Sequence, residues 1–77
     1  MVDVVVDSRW VQGFPPLMPR QVEKKLEPAE LAQVREAARA GDLYVRLDSP
    51  EGERIQVENL WFNPHDQSRI TFILRNP

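Results

Sequence analysis

One segment of this chain has helical periodicity, and almost every other patterned segment alternates with a period of two. That contrast limits the fold more than any other feature. In the helical segment Leu31, Val34 and Ala38 recur at helical spacing, with Ala37 beside them. Glu27 precedes Pro28, and proline is well placed at a first helical position because its missing N–H has no partner there anyway. Glu30 lies near the positive end of the helix dipole, Arg35 and Arg39 near the negative end, and Gly41 is a left-handed stop. The pattern predicts a helix over residues 28–40 whose Ala-rich face can lie close on a sheet.

The alternating segments read as strands. Val2, Val4 and Val6 share one face of a strand over residues 2–7, which either extends past a bulge to residue 12 or is followed by a short second strand at Trp10 and Val11. Leu43, Val45 and Leu47 define a strand at 43–48, Ile55 and Val57 one at 54–58, and Ile70, Phe72 and Leu74 one at 69–75. Ser49-Pro50-Glu51-Gly52 is a hairpin turn in which glycine is expected to supply positive φ. Asn59 breaks the alternation, which places a bulge near residues 58–60. Asn63-Pro64-His65-Asp66 is a second turn.

Between the first strand and the helix, Pro15, Pro16 and Pro19 stiffen a connector over residues 14–20. Phe14, Leu17 and Met18 are expected to cover the core from this connector. The Pro16-x-x-Pro19 spacing is therefore read as a rigid linker rather than as a ligand for a polyproline-binding domain. Gln21 to Leu26 reads as a short turn leading into the helix. The expected fold is α+β, with two layers: one main helix on a mostly antiparallel sheet of 3–5 strands, in the order β-α-β-β-β. All 77 residues are assigned to a single domain.

With no cysteine, thiolate metal sites, thiol nucleophiles and disulfides are excluded together, and a reducing compartment is favoured. The N-terminus has Asp3 and Asp7 where a signal peptide would be basic and apolar, and no apolar run approaches the length of a membrane span. A cytoplasmic protein without membrane contact is expected. The net charge of -2 supplies no global attraction to nucleic acid.

Enzymatic constellations are poor. His65 is the single histidine, and it sits in a turn beside Asp66, a neighbour too close in sequence to converge with it on one metal ion. Ser8, Ser49 and Ser68 lack the strand-turn-helix context of an activated nucleophile. The pairs Asp3 with Asp7 and Glu51 with Glu53 are read as solvated, so burial does not separate their acid and base roles. Three glycines are too few for a phosphate-cradling loop. The expectation is a protein that is not an enzyme and holds no cofactor or metal. A hydrolase using His65 is the remote alternative.

What remains is a surface. With Leu47 paired to Ile55 and Val57 to Phe72, cross-strand parity sets Arg46 beside Gln56, Asp48 beside Arg54, and Arg54 beside Arg75 on the outer face. Tyr44, Arg46, Arg54, Arg69 and Arg75 then make that face cationic, while Glu23, Glu27, Glu30 and Glu36 make the connector and helix side acidic. Two opposed arginines repel, so a carboxylate or an anion over them would relieve the pair. Trp10, Trp61 and Phe62 add aromatics that a core this small cannot fully cover.

Tyr and Arg are enriched at interface hot spots, which points to a binding or regulatory protein working through protein contacts. Self-association as a homodimer is expected, with the first strand as a candidate edge. The alternative is a single-stranded nucleic-acid binder, with bases stacked on Tyr44 and phosphates on the arginines.

Overall fold

The computed structural model describes residues 2–14 and 17–75. Strand β1 (Val2–Val6) leads into a short 3₁₀ turn (Ser8–Trp10) and a connector. Then come β2 (Gln21–Lys25), helix α1 (Pro28–Ala40), β3 (Leu43–Leu47), β4 (Arg54–Phe62) and β5 (Arg69–Leu74). The five strands form one sheet in the order β1-β3-β4-β5-β2. β1 pairs with β3 in parallel, and the other three pairings are antiparallel. One helix packed on a mostly antiparallel sheet is the α+β architecture expected from the periodicity.

The helix spans the predicted residues. The Glu30 carboxylate accepts from the Glu27 backbone N–H at 3.3 Å, and Gly41 closes the C-terminus at φ 74°. Val34 and Ala37 are buried, with Leu31 and Ala38 partly so. They meet Val4, Val6, Val22, Leu43, Val45, Ile55, Ile70, Phe72 and Leu74 from the inner face of the sheet. The bulge falls where Asn59 interrupts the pattern, between Val57 and Asn59, and it lets β4 continue to Phe62 instead of ending at residue 58.

Five expectations are corrected. Gln21 to Lys25 is a strand, not a turn: it pairs with β5 from Gln21 opposite Ile73 to Lys25 opposite Arg69. Only Val22 within it is fully buried, so its own sequence carries almost no alternation signal. Trp10 and Val11 do not extend β1. The chain turns at Ser8–Trp10 and makes one bridge, Gln12 with Gln21.

The hairpin registers are each shifted by two residues. Val45 lies opposite Ile55 and Arg46 opposite Arg54, while Val57 lies opposite Leu74. A two-residue shift preserves which face each side chain occupies, so the inner and outer sets survive while the cross-strand partners change. The turn differs as well: Asp48 takes the left-handed conformation at φ 69°, and Gly52 does not have positive φ. Gly52 is required for a different reason, since a Cβ there would lie 1.7 Å from the Leu47 carbonyl oxygen.

Lastly, Phe14, Leu17 and Met18 do not cover the core. All three project from the connector into solvent. Pro15 and Pro16 lie outside the described residues, and with them part of the Pro-x-x-Pro reading.

The strand identity of β2 has a thermodynamic test. Val22→Ala removes two buried methyl groups and is expected to cost about 2 kcal/mol by urea denaturation. Lys25→Ala on the exposed face should stay within about 0.5 kcal/mol. A Val22 cost as small as that of Lys25 would mean this segment is a solvated turn.

Candidate binding surface

β1 and β3 place Asp3 directly beside Tyr44 on the outer face, in the row next to the opposed Arg46 and Arg54. The Asp3 carboxylate reaches both guanidiniums, with Oδ1 3.2 Å from Arg54 Nε and Oδ2 3.8 Å from Arg46 Nε. Arg46 also donates to the Gly52 carbonyl at 3.0 Å. The Arg54 guanidinium lies 3.7 Å from the centroid of the Tyr44 ring. The repulsive arginine pair anticipated from parity therefore exists, but it is Arg46 with Arg54 rather than Arg54 with Arg75. The anion over it comes from the chain itself. Asp3 is consequently ion-paired while it stays exposed.

The other predicted site residues are dispersed. Arg75 donates to the Gln56 side chain at 2.8 Å. Arg69 sits at the far end of the sheet, 3.3 Å from Glu23 and 3.8 Å from Asp66. Glu23 thus belongs to the outer sheet face rather than to an acidic helix side. Asp48, expected beside Arg54, instead accepts from the Ser8 backbone N–H at 2.9 Å. Trp61 stands on the outer face opposite Thr71. Phe62 turns toward the helix, with Arg35 4.6 Å over its ring. The arginines are therefore divided: Arg46 and Arg54 share Asp3, Arg69 is paired with Glu23 and Asp66, and Arg75 is held by the Gln56 amide.

The turn at residues 63–68 gives His65 no catalytic partner among the described residues; its backbone N–H donates to Asn63 Oδ1 at 2.8 Å. Asp66 accepts from the Ser68 hydroxyl at 2.5 Å and from the Ser68 N–H at 3.1 Å. These two bonds, the hydroxyl first, hold its carboxyl below the ordinary aspartate value. Among the described residues no group of three His, Cys, Asp or Glu side chains is placed to hold a metal ion, and no helix is long and apolar enough to cross a membrane.

An exposed apolar ridge lies on the connector. Trp10 is 66% exposed, Phe14 82%, Leu17 90% and Met18 53%, all within one short segment. The base of this ridge is built. Gln12 and Gln21 exchange backbone hydrogen bonds of 2.8 and 2.7 Å, and Met18 N–H donates to the Phe14 carbonyl at 3.0 Å. At Gly13, with φ at 107°, any Cβ would lie 2.2 Å from the Pro19 carbonyl oxygen. Trp10 was singled out from the sequence, whereas Phe14, Leu17 and Met18 were assigned to the core. The density of prolines around them was the available signal that this segment could not fold back. Compared with known protein families, curated proteins and solved structures, the chain matches none of them.

Two measurements check this electrostatic description. Asp3→Ala leaves the opposed arginines without their shared carboxylate and is expected to destabilise the fold by about 1 kcal/mol, less at high salt. In an Arg54→Gln background the same substitution should cost clearly less. The Asp66 carboxyl, followed by NMR, should titrate below the ordinary aspartate value, and Ser68→Ala should raise it. Because the folded value is depressed, its contribution to stability is present above the unfolded value and is lost as pH falls through the folded one.

Proposed function

We propose that this chain is a non-enzymatic binding protein that works through protein contacts and self-associates through the Trp10–Met18 ridge. The observation carrying the reading is the exposure of four large apolar side chains in that one segment. Large exposed apolar patches mark interaction sites, and Trp in particular anchors interfaces. The two aromatic side chains, Trp10 and Phe14, present on the order of 150–250 Å² each when fully engaged. Two ridges packed about a two-fold axis therefore approach the ~1,000 Å² of a stable interface. The tied base of the ridge reduces the ordering entropy that such contacts require.

A cytoplasmic setting fits a chain without cysteine. The nucleic-acid alternative has less support, because the arginines are engaged by carboxylates and the Tyr44 ring carries Arg54.

Light scattering coupled to size exclusion tests the reading. At micromolar and higher concentrations the chain should elute at twice its 9.0 kDa mass. Phe14→Ser combined with Leu17→Ser should give a monomer that keeps its amide dispersion, since both side chains are exposed. A wild-type monomer across that range would overturn self-association.

A further inference from the structure

The sheet ends in two edges that face each other without pairing. β1 bonds to β3 through alternate residues, from Val2 N–H on the Asp42 carbonyl at 3.0 Å to Asp48 N–H on the Val6 carbonyl at 2.8 Å. Asp3 and Val5 therefore turn their backbone groups to the open side. β2 bonds to β5 likewise, between Leu74 N–H on the Arg20 carbonyl and Leu26 N–H on the Ser68 carbonyl, both 2.8 Å. Gln21, Glu23 and Lys25 then turn outward. Gln12 takes the place beside Gln21, and no described residue continues that line past Glu23 and Lys25.

A single contact spans the seam: Lys24 Nζ donates to the Val5 carbonyl at 2.5 Å. A cavity of about 280 Å³ lies between the edges, lined by Val5, Val6, Val22 and Trp10 with Lys24, and by Asp7 and Glu23, whose carboxylates are engaged by Arg9 and Arg69. A second, of about 420 Å³, opens beside the β2 edge toward Trp10 and Gln12.

We infer that this seam is a slot for an extended peptide with a carboxylate side chain at its centre. The unpaired groups of Glu23 and Lys25 offer a strand-addition edge, in which main-chain hydrogen bonds supply affinity and alternate side chains supply specificity. A strand continuing the line of Gln12 runs antiparallel to β2. Val11, next to Gln12, already holds the place opposite Val22, so the added strand starts opposite Glu23; its residue opposite Leu26 faces the apolar interior and its residue opposite Lys24 faces that side chain. Lys24 is half-buried, and among the described residues no carboxylate lies within 4.0 Å of its ammonium; it is held by a neutral carbonyl. A carboxylate is a stronger acceptor for that ammonium, so an acidic side chain displaces the Val5 carbonyl and releases the latch.

The probes are two capped tetrapeptides, Val-Thr-Glu-Thr and Val-Thr-Lys-Thr, titrated into isotope-labelled protein and followed by amide NMR. The Glu peptide should shift the Glu23 and Lys25 amides and slow their exchange, and the Lys peptide should bind at least about tenfold more weakly. Lys24→Glu should invert this preference and Lys24→Met should abolish it, with amide dispersion reporting that each variant is folded. Binding should persist in the Phe14→Ser, Leu17→Ser variant, which separates the slot from the ridge. The inference is overturned if neither peptide shifts those amides, if both peptides bind equally, or if Lys24→Glu leaves the preference unchanged.

Discussion

The parallel pairing of β1 with β3 is the constraint from which the rest of the molecule follows. Neighbouring parallel strands cannot be joined by a tight turn; they need a crossover, and here it runs from Asp7 to Asp42. Everything outside the β3-β4-β5 meander and β1 itself lies in that crossover: the 3₁₀ turn, the apolar ridge, β2 and the helix. β2 is carried to the far edge against β5, so the helix must return from that edge to the start of β3. It thereby covers the inner face. The same route brings the two sheet edges close enough for Lys24 to span them.

This explains which parts of the fold were legible from sequence. The helix, the three meander strands and the bulge at Asn59 depend on contacts between near neighbours, and local periodicity reports those. β2 depends on a partner far along the chain. Gln-Val-Glu-Lys-Lys has one apolar residue, and its strand geometry comes from the ladder with β5 rather than from its own pattern. Register failed for a related reason: parity assigns faces, but the turn decides pairing, and this turn uses Asp48 at φ 69° where glycine was expected. The connector failed because apolar residues were taken to be core residues. The rule that cores are apolar does not run in reverse.

The charge pattern was half legible. Parity predicts an opposed arginine pair on the outer face, though Arg54 with Arg75 rather than the observed Arg46 with Arg54, and an anion or a carboxylate over it to relieve the repulsion. It could not identify Asp3, because Asp3 reaches Arg46 and Arg54 only once β1 is placed parallel to β3. The same placement changes the meaning of the cationic face. A surplus of arginine that looked available to a ligand is divided into clusters held by Asp3, Glu23 and Asp66. These residues keep the curled sheet polar on its outside, which for a short sheet with two open edges also discourages indiscriminate pairing.

Folding and binding consequently draw on different residues. The core is closed by β-branched and aliphatic side chains with Phe72 among them, and among the described residues none that is buried is polar or charged. Trp10, Phe14, Leu17, Met18 and Trp61 stand outside it, on the 3₁₀ turn, the connector and the outer face of β4. A domain of this size has a thin margin of stability, and these mostly exposed side chains add little to it by burial within the domain. Exposed apolar surface carries a standing aggregation risk. Tying the ridge at Gln12 and Gln21 and seating it on Gly13 confines that surface to one geometry. A contact that must be made at one place, rather than wherever apolar surface is found, requires such confinement.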